Sequence, residues 1–214
     1  MAAGQPEQYS APDGEGNAEL IEKRSRFIAH VAVVESEEEA KEVIARVRAK
    51  YHDARHNCWC YCILNGPERY SDDGEPQGTA GLPMLEVFKR GGILNVCCVV
   101  TRYFGGILLG TGGLSRAYSE AAKLAFNDAG ICVHRLYDCI KIVCGYSFLG
   151  KAKLEIEGVS GIIENTDYGE NVTFNVLLPA GKLDALNKRL GEASAGAVSG
   201  IVTGKQYVKK KAGQ

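Results

Sequence analysis

The sequence predicts an α+β protein of two domains, and three observations carry that prediction. Strand-like segments of period two and helix-like segments of period near 3.6 are interleaved from residue 25 onward. No repeated strand–helix–strand series of the parallel α/β kind runs through them. Beyond about residue 135 the pattern restarts as strand, helix, strand, strand, helix, strand.

The elements follow in order. Residues 1–17 are polar and rich in Gly and Pro, without the basic start and apolar stretch of a secretory signal, and read as a disordered arm. Residues 25–34 read as a strand. Ser36 and Glu39 form a capping box ahead of Ala40, Val43, Ile44 and Val47 on one face of a helix over 37–50. A strand over 57–64 leads into a long polar loop whose Gly, Pro and Asp content excludes regular structure for most of its length. A helix near 80–90, a buried strand over 93–101, a glycine-dense loop and an Ala-rich helix over 114–129 complete the first domain, 18–135. In the second, 136–208, strands at 138–146, 160–167, 171–178 and 199–207 and helices at 148–157 and 181–190 give the βαββαβ order of the ferredoxin-like split unit. Residues 209–214 read as a solvated basic tail.

Composition bounds the function. Of 214 residues, 45% are hydrophobic and 24% charged, with a net charge of −1, as in ordinary soluble proteins. No apolar run reaches the roughly 18 residues of a membrane span, so no membrane partner and a cytoplasmic location are expected. Eight cysteines invite a disulfide or zinc reading. Cys58, Cys60 and Cys62 instead alternate along one strand face, Cys97 and Cys98 are neighbours, and no CxxC pair exists, so reduced, buried thiols and no metal are expected. Residues 137–214 carry ten Lys or Arg against eight Asp or Glu, and neither half is basic enough to announce nucleic-acid binding by bulk charge. Only a local patch, such as Lys151, Lys153, Lys205, Lys209, Lys210 and Lys211, would do so.

Three motifs could carry chemistry. The strand 93–101 ends in Arg102 and two aromatics, then meets Gly105, Gly106, Gly110, Thr111, Gly112 and Gly113 before a helix. Backbone N–H groups and the helix dipole there would favour an anion such as phosphate. Gly110 and Gly112 fit GxGxxG, but Ser115 takes the third position, and no Lys-Ser/Thr follows for a P-loop. The acidic loop brings Asp72, Asp73, Glu75 and Thr79, which could hold Mg²⁺, act as acid or base, or simply build turns and cap the next helix. Asp53-Ala54-Arg55-His56 opens a strand, where Arg55 and His56 are plausible anion contacts. Arg26 and Arg102 lie in strands, so each should reach a strand end, a carboxylate of the acidic loop or a bound anion. No catalytic triad or dyad follows from spacing, and no cofactor is expected.

The blocks SRFIAH, DARHNC, SDDGEPQGTAGLPML and VTRYFGGILLGTGGLSRAYSEAA resemble those of the YigZ/IMPACT family, and RYFGGILLGTGGL is a highly specific match. The resemblance implies an N-terminal domain with the fold of ribosomal protein S5 domain 2. It also implies a ferredoxin-like C-terminal domain akin to the fifth domain of elongation factor G. Eukaryotic members modulate translation through an additional N-terminal domain, whose place is taken here by a short polar arm. The resemblance therefore implies a non-enzymatic, translation-associated protein that binds RNA, the ribosome or a translation factor. Arg102 and the glycine turn would contact phosphate, with Tyr146, Phe174 and Tyr207 as candidate stacking aromatics on the second domain. The alternatives are an enzyme acting on a phosphorylated small molecule or nucleotide at the same turn, and a dimerising, ligand-sensing module.

Overall fold

A sheet of order β2-β3-β6-β4-β5, antiparallel throughout, organises the first half of the chain in the computed structural model, which describes residues 6–211. Its strands are β2 (Gly16–Glu22), β3 (Ser25–Val33), β4 (His56–Cys62), β5 (Glu68–Ser71) and β6 (Val96–Tyr103), with a short β1 (Gln8–Pro12) preceding them. The helices are α1 (Glu37–Lys50), α2 (Gly81–Arg90) and α3 (Gly110–Ala129). The described residues fall into two compact units, one of residues 9–133 with 210–211 and the other of residues 134–209 with 6–8.

Strand periodicity divides the first unit's core in two. Phe27, Ala29, Val31, Cys58, Cys60, Cys62, Cys98 and Val100 face α2 and α3, where Met84, Phe88, Tyr118, Ala121, Ala122 and Ala125 meet them. The alternate residues Tyr61, Cys97 and Val99 face α1, which contributes Ala40, Ile44 and Val47. The alanine ridge of α3 has a packing reason: small side chains let the helix lie close to β2. A Cβ on Gly16 would sit 2.1 Å from the Ala125 carbonyl oxygen, so that approach admits no side chain. At α1 the Ser36 hydroxyl accepts from the Glu39 N–H at 3.1 Å, and the Glu39 carboxylate accepts from Glu35 N–H at 2.7 Å. The reciprocal half of the box thus lands one residue earlier than the usual motif.

The second unit runs β7 (Ile131–Cys144), a single 3-10 turn (Tyr146–Phe148), α4 (Leu149–Glu157), β8 (Ile162–Tyr168), β9 (Val172–Pro179), α5 (Leu183–Ser194) and β10 (Gly200–Lys211). Its strands pair in the order β10-β7-β9-β8, β1 also pairs with β7 in the same five-stranded sheet, and β8 carries a bulge between Ile163 and Asn165. Ile140, Ile142, Phe174, Val176 and Leu178 pack with Ala152, Ile156, Leu186 and Leu190 of the two helices.

Four expectations need correction. Residues within 1–17 are not all an arm: β1 and the start of β2 lie there, because alternating burial along Tyr9, Ala11 and Gly16 anchors them; residues 1–5 fall outside the described part. The acidic loop is interrupted by β5, which pairs with β4 from Cys62↔Glu68 to Trp59↔Ser71. Helix α3 begins at Gly110 rather than 114, so Gly110, Thr111, Gly112 and Gly113 form its first turn. The basic residues Lys209, Lys210 and Lys211 belong to β10, and residues 212–214 fall outside the described part.

Candidate functional site

Strand pairing decides where the site forms. His56 begins β4, Arg102 lies near the end of β6, and the two are direct partners across the sheet. The residues around them line a hollow of about 510 Å³: Asp53, Arg55 and His56 from the turn into β4, and Arg102, Tyr103, Phe104 and Leu108 from β6 and beyond. Phe104 is 55% and Leu108 82% exposed, an unusual solvent cost for two large apolar groups on one loop.

The floor of this hollow is a buried polar chain. Arg102 Nη1 donates to Glu75 Oε1 at 2.7 Å and Oε2 at 3.1 Å, and its Nη2 reaches Ser25 Oγ at 3.4 Å. The guanidinium carbon lies 5.5 Å from the ring centres of both Phe27 and Phe104. Its buried Nε has no hydrogen-bond partner among the described residues. Tyr118 donates its hydroxyl to Glu75 Oε1 at 2.8 Å, and Cys58 Sγ lies 3.3 Å from the Tyr118 oxygen and 3.0 Å from the Asp72 carbonyl. Burial pushes the Tyr118 hydroxyl far up and the Cys58 thiol up to about 12, so both keep their protons. Of the three destinations open to Arg102, it takes the acidic-loop carboxylate.

At the rim, His56 Nδ1–H donates to the Asp73 carbonyl at 2.9 Å, which fixes the ring and leaves Nε2 without a partner among the described residues. Tyr103 donates to Asp53 Oδ1 at 2.6 Å, and that bond holds the Asp53 carboxyl below its usual range. Arg55 is exposed and makes no hydrogen bond or ion pair among the described residues.

A second hollow, of about 610 Å³, lies between β2 and α3 and is lined by Leu20, Lys23, Leu109, Gly113, Arg116 and Lys123, with the carboxylates Glu22 and Glu120 also at its edge. Leu109 occupies the N-cap of α3 and makes no side-chain cap, and the first turn holds no acidic residue. The opening amides of α3 therefore have neither intrahelical acceptors nor a capping oxygen. Arg116 lies over this turn, its Nη1 3.5 Å from where a Gly112 Cβ would be. Lys23 and Arg116 have no partner among the described residues.

The structure brings some of the expected site residues together and disperses others. Arg102, His56 and Glu75 converge, but Glu75 is consumed as the buried counter-ion of Arg102. Asp72 is a structural acceptor: Oδ1 takes the N–H groups of Ala80 and Gly81 at 3.0 and 2.8 Å, and Oδ2 that of Gly78 at 2.8 Å. It thereby caps α2, in place of Glu75 or Thr79. Asp73 accepts from Asn57 N–H and from Arg48, each at 2.7 Å. Thr79 is buried and donates to the Pro76 carbonyl at 2.6 Å. The acidic loop is thus a turn held by its own carboxylates, and no group of three potential metal ligands occurs among the described residues. Arg26 is exposed and pairs with Glu19 on β2 through two contacts of 2.7 and 2.8 Å; it lies across the sheet from Tyr103 but is not among the residues that line the hollow. Gly105 is occupied internally, its N–H donating to Ser25 Oγ at 3.2 Å. Only Gly113 among the expected glycines lines either of the two hollows.

Sequence reasoning missed Lys23, Arg116, Tyr103, Phe104 and Leu108. The Lys23-Arg24 pair is the turn of the β2–β3 hairpin, both at positive φ, and no Gly or Asn marks it. The stacking aromatics expected on the second unit do not form a platform: Phe174 is fully buried, Tyr146 donates to the Gly169 carbonyl at 2.7 Å, and Tyr207 to the Pro6 carbonyl at 2.8 Å.

Comparison with known proteins bears on this arrangement. The Impact N-terminal domain family matches residues 23–126, which hold the whole of the first hollow and most of the second, and a domain of unknown function (DUF1949) matches residues 142–197. IMPACT family member YvyE of Bacillus subtilis is 37% identical over 85% of this chain and 84% of its own length. The chain belongs to the IMPACT family. A second family member, YigZ of Escherichia coli, is 36% identical over 82% of this chain and 88% of its own length. Protein IMPACT of Mus musculus is 35% identical over 50% of this chain but only 35% of its own length. A solved structure described as a hypothetical protein matches with a TM-score of 0.61 at 33% identity, over 92% of this chain and 98% of that one. No helix among the described residues is long and apolar enough to cross a membrane.

Proposed function

We propose that this IMPACT family member is a translation-associated, cytoplasmic binding protein that takes a phosphate-bearing ligand, in the first place RNA, at the segment Tyr103–Gly113. The observation that carries the reading is the set of unpartnered cations on both sides of that segment. Arg55 and the free edge of His56 stand at the strand-end hollow, and Lys23 and Arg116 stand over the uncapped start of α3. Cations held by no carboxylate, beside exposed Phe104 and Leu108, suit a polyanion that also presents apolar faces. The fold reading supports this association. The first unit is read as ribosomal protein S5 domain 2-like, and the sheet order β10-β7-β9-β8 with βαββαβ succession as ferredoxin-like.

An enzyme acting on a phosphorylated small molecule at the same turn has less support, because Asp72, Asp73 and Glu75, the carboxylates expected to serve as base or metal ligands, are all engaged by protein donors.

The test is titration of the full chain with a labelled single-stranded RNA at low and moderate salt. Affinity should fall steeply with salt, and Arg55→Ala and Arg116→Ala should each lower the salt slope by about one. Affinity indifferent to salt, or to both substitutions, removes the proposal.

A further inference from the structure

On the sheet face opposite α2 and α3 lies a third hollow, of about 430 Å³, which the reading above does not use. Because Cys58, Cys60 and Cys62 face α2 and α3, the alternate residues Trp59 and Tyr61 face α1. Their rings stack in parallel, centroids 5.5 Å apart and planes within 5°. Tyr61 is almost wholly buried and Trp59 half-buried, so the indole is the member of the stack that reaches the hollow. Ile44 and Ala45 of α1 form the opposite wall. The result is a slot with one flat aromatic side and one aliphatic side.

The rim of the slot is positively charged. Lys41, Arg48 and Arg69 surround it against a single carboxylate, Glu37. Each cation makes an exposed contact: Lys41 with Glu37 at 3.0 Å, Arg48 with Asp73 at 2.7 Å, Arg69 with the Glu68 carbonyl at 3.0 Å. Exposed contacts of this kind are weak and exchange readily for a phosphate, which an arginine can grip with two parallel donors. The Trp59 indole N–H has no partner among the described residues and remains available to an acceptor on a ligand.

We infer that this slot is a nucleotide site: a base inserts between Trp59 and the α1 wall, and its phosphate is held by Arg48, Arg69 and Lys41. Planarity of the stack selects a flat ring, the excess of cations selects an attached anion, and the slot's volume falls within the range of small-molecule sites, roughly 300–1,000 Å³. Base–aromatic stacking tolerates any base, so the site reads ring and phosphate rather than sequence. The ligand can be a free nucleotide or one residue of a single RNA strand. The inference stands apart from the reading of the Tyr103–Gly113 segment, with which it shares no residue.

Trp59 is the single tryptophan of the chain, so its emission reports the site directly. The full chain is titrated with adenosine monophosphate, with oligoadenylate, and with ribose 5-phosphate as the ring-free control. Saturable quenching by adenosine monophosphate identifies a free-nucleotide site, quenching by oligoadenylate alone identifies an RNA site, and either supports the inference. The exposed double substitution Lys41→Ala/Arg69→Ala should weaken binding roughly tenfold or more, as expected for lost charge-assisted contacts, while circular dichroism is unchanged. By calorimetry, Trp59→Ala should weaken binding by a similar factor. In an Arg55→Ala/Arg116→Ala background the quenching persists, which separates this inference from the preceding one. Emission unchanged by both nucleotide forms, quenching matched by ribose 5-phosphate, or a response indifferent to Lys41→Ala/Arg69→Ala overturns it.

Discussion

Glu75 and Arg102 form an ion pair at 2.7 Å with side chains 3% and 7% exposed, so one buried contact ties the acidic loop to the end of β6. A buried charge left without its partner is costly, whereas removing both charges together can be nearly neutral. Glu75→Ala strands Arg102 and also removes the acceptor of the Tyr118 hydroxyl. It should destabilise the fold by about 3–5 kcal/mol. In urea denaturation, Glu75→Leu/Arg102→Met should lose clearly less than the sum of its single substitutions. Strict additivity in that cycle would show that the two side chains are not energetically coupled.

Gly105 and Gly112 look alike in sequence and should respond in opposite directions. A Cβ on Gly105 would lie 2.0 Å from the Arg24 carbonyl carbon, against backbone that cannot yield without moving the β2–β3 hairpin. Gly105→Ala should therefore cost about 1–3 kcal/mol or more, and should distort the hollow beside Phe104. Gly112 sits in the first turn of α3, where its Cβ would meet only the flexible end of Arg116 at 3.5 Å. Gly112→Ala should stabilise by about 0.4–1 kcal/mol, by reducing the freedom of the unfolded chain. Thermal midpoints moving the same way for both variants would contradict this.

What could be read from the sequence was local. Helix α1 was legible to the residue because Ser36, the acidic first turn and the spacing of Ala40, Ile44 and Val47 agree with one another. Arg102 was recognisable as a charge that needed a partner, since it follows a strand buried on both faces. Its actual partner was not recognisable, because pairing across the acidic loop depends on how Asp72 folds that loop onto α2. The hairpin β2–β3 stayed hidden: Lys23 and Arg24 adopt positive φ with no turn residue to announce it, and β2 alternates only weakly. The start of α3 was misplaced by four residues because Gly110, Gly112 and Gly113 signal a loop by propensity, while packing of Leu114, Ala117 and Tyr118 carries the helix back through them. Nothing in the sequence singles out Arg116 and Lys23, which only the fold brings together beside the same uncapped turn.

The eight cysteines are all free, and seven are buried; Cys139 alone is partly accessible. Burial pushes the Cys62 thiol up to about 11 and lifts Cys60 and Cys97 well above their ordinary range, so neither access nor thiolate character favours reaction. Titration of the native chain with a thiol reagent should count one rapidly reacting group, and eight once the chain is denatured. Substituting Cys139→Ser should abolish the rapid phase. A rapid phase that survives this change would mean that a thiol of β4, β6 or β7 becomes exposed far more readily than its burial allows.

His30 should make stability depend on pH in a defined window. Its Nδ1 lies 2.9 Å from Asn17 Oδ1 and its Nε2 lies 3.2 Å from Arg46 Nη2, so the neutral ring donates through Nδ1 and accepts through Nε2. Desolvation is the main cause that holds its pKa below the ordinary 6.5; Arg46 acts in the same direction and Glu15 against it. A ring easier to protonate when unfolded means that the unfolded chain binds the extra proton first as pH falls. The contribution of His30 is therefore complete above pH 6.5 and is lost as pH falls from there through the lowered folded value. Protonation of Nε2 would also abolish the acceptor that Arg46 uses. His30→Gln should flatten the fall of the thermal midpoint below pH 6.5 while leaving the alkaline side unaltered. The carboxylates Glu15 and Glu19, held low by Arg46 and Arg26, lose their contribution only below about 4.5, so an unchanged slope between pH 6.5 and 4.5 in that variant would show that His30 does not carry the acid sensitivity.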